Sequence, residues 1–218
     1  MSENETLAQD LPSSIRIFRH GIFRTNGYLV CDGRDAALVD PPEETAQVAE
    51  ALASQGASIR ALLCTHLHFD HAPGFAVWQQ LTGLPVLAGA GDIACAASML
   101  DRAALRGAPP VRAFGTQALT PGAHAWGTLA CEVIHVPGHS PGSLCFHFVH
   151  QGILLSGDTL FRRCIGRTDL PESLPGTLEA AIRQRLFPLP PATRVFPGHG
   201  APTTIGEELS AGRISPTP

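Results

Sequence analysis

The chain has 218 residues, enough for one large domain or two small ones with a sizeable core. Its hydrophobic fraction of 44% and charged fraction of 16% are typical of an ordinary soluble globular protein. The net charge of −4, without any basic stripe, gives no reason to expect a nucleic-acid partner. All 15 basic residues are arginine, and the absence of lysine excludes Schiff-base catalysis.

The sequence also gives no indication of a membrane or secretory protein. It starts with polar and acidic residues, and no run approaches the roughly 18 apolar residues that a membrane helix requires. The six cysteines are scattered without a C-x-x-C pair, which is not the pattern of a disulfide framework. We therefore expect a cytoplasmic protein that acts on a small molecule. Its oligomeric state stays open.

Hydrophobic periodicity predicts strands that alternate with helices in the first half of the chain and a second series of strands later. In the first half we expect strands at 15–18, 28–30 and 36–39, a helix from Pro41 to Gly56, a strand at 59–64, a helix from Pro73 and a strand at 85–88. In the second half we expect strands at 129–136, 144–149 and 153–155, a helix at 178–186 and a strand at 194–196. Residues 15–208 are expected to form one domain between flexible termini at 1–14 and 209–218. We interpret Leu100–Thr120 as a helix end and surface connection, with a lid over the site as the alternative.

A histidine-rich run comes directly after the predicted strand at 59–64. The residues from Thr65 onward read Thr-His-Leu-His-Phe-Asp-His, which puts three imidazoles and a carboxylate in one turn. In an extended backbone the side chains of His66 and His68 point the same way, so both can bind one ion. Asp70 and His71 lie further round the turn and can reach a second ion. Core packing does not explain this composition, so the run predicts a metal site.

Three further candidate ligands occupy equivalent positions downstream. His139, Asp158 and His199 each follow a short apolar strand through a turn that contains glycine. Glycine allows a sharp bend, and sheets place their sites just beyond the ends of strands. We therefore expect the strand ends to converge. Five histidines and two aspartates exceed the four ligands of a structural zinc site and suit two ions.

The ordered motifs resemble those of the metallo-beta-lactamase superfamily: H-x-H-x-D-H, a lone histidine in Pro-Gly-His-Ser-Pro-Gly-Ser, Gly-Asp, and Gly-His-Gly. The segments Ser-Gly-Asp-Thr-Leu-Phe from Ser156, Ile-Gly-Arg-Thr-Asp-Leu-Pro from Ile165 and Phe-Pro-Gly-His-Gly from Phe196 are similar to short glyoxalase II-type hydrolases. The resemblance implies an α/β fold in four αββα layers, with two mixed sheets flanked by helices and the site at one edge of the facing sheets. It further implies a first metal held by His66, His68 and His139, a second held by Asp70, His71 and His199, and Asp158 as the bridge.

The activity implied by this resemblance is metal-dependent hydrolysis of a thioester, such as an acylated glutathione, by a hydroxide that bridges two divalent ions. Zinc is the expected ion because none of the seven ligands is a thiolate, with iron or manganese as alternatives. Asp70 and Asp158 are the candidate catalytic residues. Full-length glyoxalase II enzymes hold glutathione with lysine and tyrosine, whereas this chain has no lysine and only Tyr28. Arg167 is the candidate grip for a substrate carboxylate, with an ion pair to Asp169 as the alternative.

Two other reaction classes and a binding module are the alternatives to thioester hydrolysis. Persulfide dioxygenases share the fold and a similar Gly-Arg-Thr-Asp segment, but they use one iron, which His66, His139 and Asp158 would bind here. True β-lactamases of the superfamily usually carry Cys or Ser at the position of Asp158, which argues against antibiotic hydrolysis. A non-catalytic binding module would have lost ligands, and none is missing. Cys164 is either a reactive thiol near the site or an inert one.

Overall fold

Two six-stranded sheets face each other in the computed structural model, which describes residues 14–212. The first sheet contains β1 (Ile15–His20), β2 (Thr25–Asp32), β3 (Asp35–Val39), β4 (Ser58–Leu63), β5 (Val86–Ala88) and β6 (Thr116–Ala118), in that spatial order. The second contains β7 (Gly122–Trp126), β8 (Leu129–His135), β9 (Leu144–Phe148), β10 (Ile153–Gly157), β13 (Arg194–Pro197) and β14 (Thr203–Thr204). A separate short hairpin pairs β11 (Leu160–Phe161) with β12 (Cys164–Ile165).

The strand directions bring the candidate ligands to one edge. In the second sheet the order is β14-β13-β10-β9-β8-β7. Strand β9 is antiparallel to both β8 and β10, and β13 is parallel to β10. Strands β8, β10 and β13 therefore run the same way and end at the same edge. In the first sheet β4 lies parallel to β3, with Val39 opposite Leu63. Both sheets are mixed, as expected.

Apolar side chains on both faces of the strands build the layers. In β2, Tyr28 and Val30 belong to the core between the sheets, whereas Leu29 and Cys31 belong to the core outside the first sheet. Burial on both faces explains why these strands are almost uninterrupted apolar runs. A third apolar cluster, which includes Ile182, covers the outer face of the second sheet. The four-layer αββα architecture is confirmed.

Six helices complete the described part of the chain. They are α1 (Ala46–Gln55), α2 (Phe75–Thr82), α3 (Ala90–Ile93), α4 (Ala96–Leu105), α5 (Leu178–Arg185) and α6 (Ile205–Ala211). Helices α1, α2 and α4 contribute to the apolar cluster outside the first sheet, and α5 and α6 to the one outside the second. No helix within residues 14–212 is long and apolar enough to cross a membrane.

Helix α1 begins later than the sequence predicts. It starts at Ala46, and its first turn contains no acid. Pro41 and Pro42 are instead buried, and the Pro42 carbonyl accepts a hydrogen bond of 2.9 Å from the indole of Trp78. This packing against α2 explains why the expectation of a helix from Pro41 is wrong.

Two other boundaries differ from the predicted ones. Leu100–Thr120 contains the end of α4 and the edge strand β6 in addition to a connection. The sequence does not predict β6, because a strand of three partly exposed residues is too short to show an alternating pattern. Residue 209, where the sequence predicts the start of a flexible tail, lies inside α6. Thr204 and Glu207 cap the first turn of this helix by reciprocal side chain–backbone hydrogen bonds, which form a capping box. The remaining predicted flexible residues, 1–13 and 213–218, lie outside the described part of the chain.

Candidate metal centre

The turn after β4 carries four of the seven candidate ligands, and two distant carboxylates hold its backbone. Asp40 accepts hydrogen bonds from the Thr65 backbone N–H at 2.8 Å and from the Thr65 hydroxyl at 2.5 Å. Asp92 accepts one from the backbone N–H of Leu67 at 2.9 Å. Leu67 is itself fully buried. The turn is therefore fixed by both hydrogen bonding and packing.

The first group of ligands consists of His66, His68 and His139, all buried. One ligand atom from each lies within 4.8 Å of the others. The Nδ1 atom of His68 is 3.0 Å from Nε2 of His139. Two ring nitrogens at this separation converge on one point, as two ligands of a common ion do. These are the three residues predicted for the first metal.

The second group consists of Asp70, His71 and His199, whose ligand atoms also lie within 4.8 Å of one another. The Oδ2 atom of Asp70 lies 3.2 Å from Nε2 of His199 and 3.7 Å from Nε2 of His71. The hydroxyl of Thr25 donates to the same carboxylate oxygen at 3.1 Å. The three residues predicted for the second metal are therefore together.

Asp158 lies between the two groups. Its Oδ2 atom is 3.7 Å from Nε2 of His139 in the first group and 3.6 Å from Nε2 of His199 in the second. Its Oδ1 atom is 3.3 Å from Nε2 of His71. The bridging assignment requires this position, and the coordination itself stays a prediction.

The donor atoms of the centre fit metal ions better than they fit one another. Buried atoms without a hydrogen-bond partner within residues 14–212 include three from the centre: His66 Nε2, His71 Nε2 and Asp158 Oδ1. Unpaired buried polar atoms are costly, so such a concentration in one place indicates a missing partner. A pair of divalent cations supplies that partner for nitrogen and oxygen donors alike.

The electrostatics of the centre point the same way. Burial lowers the pKa of His66 well below its usual value, which keeps the ring neutral as a metal ligand must be. Burial alone would raise the pKa of the Asp158 carboxyl, but His199 and His71 hold it well below its usual range. Asp158 and Asp70 raise the pKa of His71 against the effect of its own burial. The negative charge of the two carboxylates therefore favours positive charge at the centre.

Contacts behind the rings orient the imidazoles. The Nδ1 atoms of four rings each face an oxygen: His66 and the Thr65 hydroxyl at 3.1 Å, His71 and Asp40 at 2.8 Å, His139 and the Arg167 carbonyl at 2.9 Å, and His199 and the Phe23 carbonyl at 3.2 Å. A carbonyl can only accept, so His139 and His199 carry their proton on Nδ1 and present the Nε2 lone pair to the centre.

Asp40 and Asp92 hold the histidine-rich turn, although the sequence motifs do not single them out. Asp40 follows β3 just as the ligands follow their own strands, so a strand-end carboxylate was an available signal. Asp92 lies in Gly89-Ala-Gly-Asp, a segment outside the motifs that predict the metal site. Besides Leu67, Asp92 accepts hydrogen bonds from the Ser140 hydroxyl at 2.9 Å and the Gly142 N–H at 2.5 Å. It therefore ties the loop of His139 to the histidine-rich turn.

Glycine at position 198 permits a close approach within the centre. A Cβ atom there would overlap Oδ1 of Asp158 and lie 2.5 Å from Cε1 of His71. The backbone N–H of Gly198 donates to the Gly157 carbonyl at 2.9 Å, which joins the ends of β10 and β13. Only a residue without a side chain allows the loops of Asp158 and His199 to meet in this way.

An open cavity of about 350 Å³ lies beside the centre. Its walls contain three of the candidate ligands together with apolar and cationic side chains, namely His139, Asp158, Phe161, Arg162, Cys164, Arg167, His199, Gly200 and Ala201. The volume is at the small end of the usual range of roughly 300–1,000 Å³ for ligand pockets. The cavity gives a small molecule direct access to the centre.

The remaining candidate side chains, Arg167, Cys164 and Tyr28, differ in their contacts and exposure. Arg167 lines the cavity, but its guanidinium donates twice to the Asp169 carboxylate, both times at 2.7 Å. Cys164 also lines the cavity and forms no disulfide. Tyr28 is only 2% exposed, and its hydroxyl donates to the Pro197 carbonyl at 2.5 Å. Tyr28 therefore supports the loop of His199 and cannot hold a substrate.

Known proteins share the fold and 30–35% of the aligned residues. Residues 20–199 match the family described as the metallo-beta-lactamase superfamily. The hydroxyacylglutathione hydrolase GloC of Haemophilus influenzae is 30% identical over 206 residues, covering 89% of this chain and 94% of that protein. The crystal structure of TTHA1623 in a di-iron-bound form is 35% identical, with a TM-score of 0.80 over 90% of this chain and 98% of that one. The BLEG-1 B3 metallo-beta-lactamase is 31% identical, with a TM-score of 0.80 over 90% and 96%.

The family match spans most of the chain, and it includes every candidate ligand from His66 to His199. The matched residues include most strands of the two facing mixed sheets, and the two ligand groups with Asp158 between them lie at one edge of these sheets. The chain therefore belongs to the metallo-beta-lactamase superfamily, as a metallo-hydrolase.

Proposed function

We propose that this chain hydrolyses thioesters with two divalent metal ions. The observation that carries the proposal is the position of Asp158, whose carboxylate lies within 3.7 Å of a histidine nitrogen from each ligand group. A relative that aligns over 94% of its own length is named a hydroxyacylglutathione hydrolase, which supports a thioester as the substrate.

The ligand assignment in this proposal is the one that the sequence predicts. His66, His68 and His139 would hold the first ion, Asp70, His71 and His199 would hold the second, and Asp158 would contact both. Bound divalent ions supply Lewis-acid chemistry, because they acidify water toward neutral pH and polarise a carbonyl oxygen. Zinc is the ion that we propose, since the ligands are imidazoles and carboxylates without a thiolate. Iron is the alternative, since TTHA1623 was crystallised in a di-iron-bound form.

The chain's own groups position the reactants. The cavity brings the thioester carbonyl next to Asp158 and His199, and Phe161 and Ala201 provide apolar contacts for the substrate. Asp70 and Asp158 orient the attacking water by accepting its hydrogen bonds. The water oxygen bonds to the carbonyl carbon, the carbon–sulfur bond breaks, and the products are a carboxylic acid and a thiol. A thiolate leaves readily, so no further acid is needed.

The cellular setting is part of the proposal. None of the six cysteines forms a disulfide, which suits a reducing compartment such as the cytoplasm. The partner is a small-molecule substrate rather than a nucleic acid or a membrane. Cell fractionation with an antibody to the native protein tests the location.

A substrate panel tests the proposed reaction. The metal-loaded protein is assayed with lactoylglutathione and with smaller acyl thioesters, before and after removal of metal by a chelator. We expect hydrolysis that disappears with the metal and returns when zinc is restored. No hydrolysis of any thioester would overturn the proposal. A β-lactam belongs in the panel because BLEG-1 is named a metallo-beta-lactamase, and faster β-lactam hydrolysis would favour that activity instead.

A further inference from the structure

The hairpin of β11 and β12 carries an arginine to the wall of the cavity. Phe161 pairs with Cys164, so Arg162 and Arg163 form a two-residue turn at the tip. Arg163 has a positive φ of 66°, and its backbone N–H donates to Glu208 at 2.9 Å. A short paired turn anchored to α6 is a stiff support. The backbone of Arg162 is therefore held in place beside the cavity.

The three arginines of this region differ in what their guanidinium groups contact. Arg167 is occupied by its two hydrogen bonds to Asp169. Arg163 does not line the cavity beside the metal centre, although it is exposed and adjacent to Arg162. Arg162 lines that cavity, and its guanidinium has no hydrogen bond or ion pair with any residue from 14 to 212. Arg162 thus has free donors next to the proposed reaction site.

The charge around the cavity favours an anion. Asp158 is the only carboxylate among the lining residues, and its contacts are directed to the histidines of the centre. A guanidinium presents paired N–H donors that match a carboxylate, and such charge-assisted hydrogen bonds are the strong ones. From the free guanidinium and this lining, we infer that Arg162 selects thioesters that carry a carboxylate. The inference rests on the proposed thioester hydrolysis and names the substrate class for it.

This inference moves the carboxylate grip away from Arg167, the candidate that the sequence suggests. Arg167 would have to break two hydrogen bonds to Asp169 before it could bind a substrate, whereas Arg162 breaks none. Arg162 is a specificity-determining residue and has no part in bond breaking. Its removal should therefore change KM more than kcat.

A matched pair of substrates tests the assignment. The acetyl thioester of 3-mercaptopropionate carries a carboxylate, and the acetyl thioester of 3-mercaptopropionamide has the same shape without the charge. We expect the metal-loaded wild-type protein to prefer the charged substrate by roughly tenfold in kcat/KM, the size of one charge-assisted hydrogen bond. Arg162→Ala should abolish the preference through a higher KM, and Arg162→Lys should keep part of it. Arg163→Ala, which removes an equal charge from the same turn, should leave both substrates unaffected.

The outcomes separate the inference from the function on which it rests. Equal kcat/KM for the two substrates in the wild-type protein would overturn the inference and leave thioester hydrolysis standing. So would a preference that survives in Arg162→Ala, or an equal loss in Arg162→Ala and Arg163→Ala. Failure of the wild-type protein to hydrolyse any thioester would overturn both. Added salt gives a second readout, because screening should raise the KM of the charged substrate in the wild-type protein but not in Arg162→Ala.

Discussion

The metal centre and the cavity beside it are built in different ways. In the centre, the rings of His71 and His139 are each held from behind by an oxygen, and the surrounding turns are tied to buried carboxylates. In the cavity wall, Arg162 is exposed and its guanidinium has no hydrogen bond or ion pair with residues 14–212. The contrast indicates that many interactions fix the chemistry, whereas a few side chains choose the substrate. Substitutions in the two regions should therefore differ in whether they affect metal or affinity.

Loss of the bridging carboxylate should have the largest effect. Asp158→Ala removes the one anion placed between the two ligand groups, so we expect lower metal content and activity below detection. Elemental analysis and thioester hydrolysis measure the two consequences. Asp101→Ala, which removes an exposed carboxylate from α4, is the matched control and should change neither. Two retained ions with near-normal turnover in Asp158→Ala would contradict the bridging assignment.

A single methyl group should also disturb the centre severely. In Gly198→Ala the new Cβ would overlap Asp158 and press on His71, so we expect metal affinity and activity to fall at least about tenfold. Gly200→Ala is the control, because its Cβ would meet nothing within 4 Å. Its φ of 78° costs about 1 kcal/mol of stability without touching the ligands. Similar metal affinities in the two variants would show that the close approach at Gly198 has no role.

Asp92→Asn tests how far the support behind the ligands matters. An amide can accept at one atom only, so at least one of the donors Leu67, Ser140 and Gly142 loses its partner. We expect metal affinity to fall roughly 10- to 100-fold, as it does for residues that orient ligands. Competition with a chromophoric chelator measures this. Ser140→Ala removes one of the same hydrogen bonds and should have a smaller effect, and the reverse order would contradict this role of Asp92.

The smallest effect is expected on the cavity wall, at the salt-bridged arginine. Arg167→Ala breaks an exposed ion pair with Asp169, and such pairs contribute little to stability. We expect an unchanged melting temperature and metal content, and a loss of affinity for the charged thioester smaller than that in Arg162→Ala. Steady-state kinetics on the two variants decide between them. A larger rise in KM for Arg167→Ala would return the carboxylate grip to Arg167.

Much of the metal centre can be predicted from sequence because its chemistry is local. His66, His68, Asp70 and His71 lie in one turn, and each later ligand follows a strand and a glycine. The short apolar runs also predict most of the strands, and the resemblance to the metallo-beta-lactamase superfamily implies the two facing sheets. These signals need no knowledge of distant contacts.

The features that the sequence does not predict depend on contacts between distant residues or on very short strands. Asp40 and Asp92 each lie 25 residues from the backbone N–H that they bind in the histidine-rich turn, and a lone aspartate carries no sign of its partner. The strands β11 and β12 have two residues each, too few for any periodicity. Because the hairpin is not predicted, the sequence suggests Arg167 rather than Arg162 as the residue that binds a substrate carboxylate. Only the structure shows that the hairpin places Arg162 at the cavity.

The number and kind of metal ions per chain test the central claim most directly. Elemental analysis of the natively purified protein measures the number and kind of metal ions. Assays of thioester hydrolysis and of oxygen uptake with glutathione persulfide measure the activity of the same sample. We predict two divalent ions per chain, thioester hydrolysis that depends on them, and no oxygen uptake. One iron per chain with rapid oxygen consumption would contradict the account and assign the chain to persulfide oxidation.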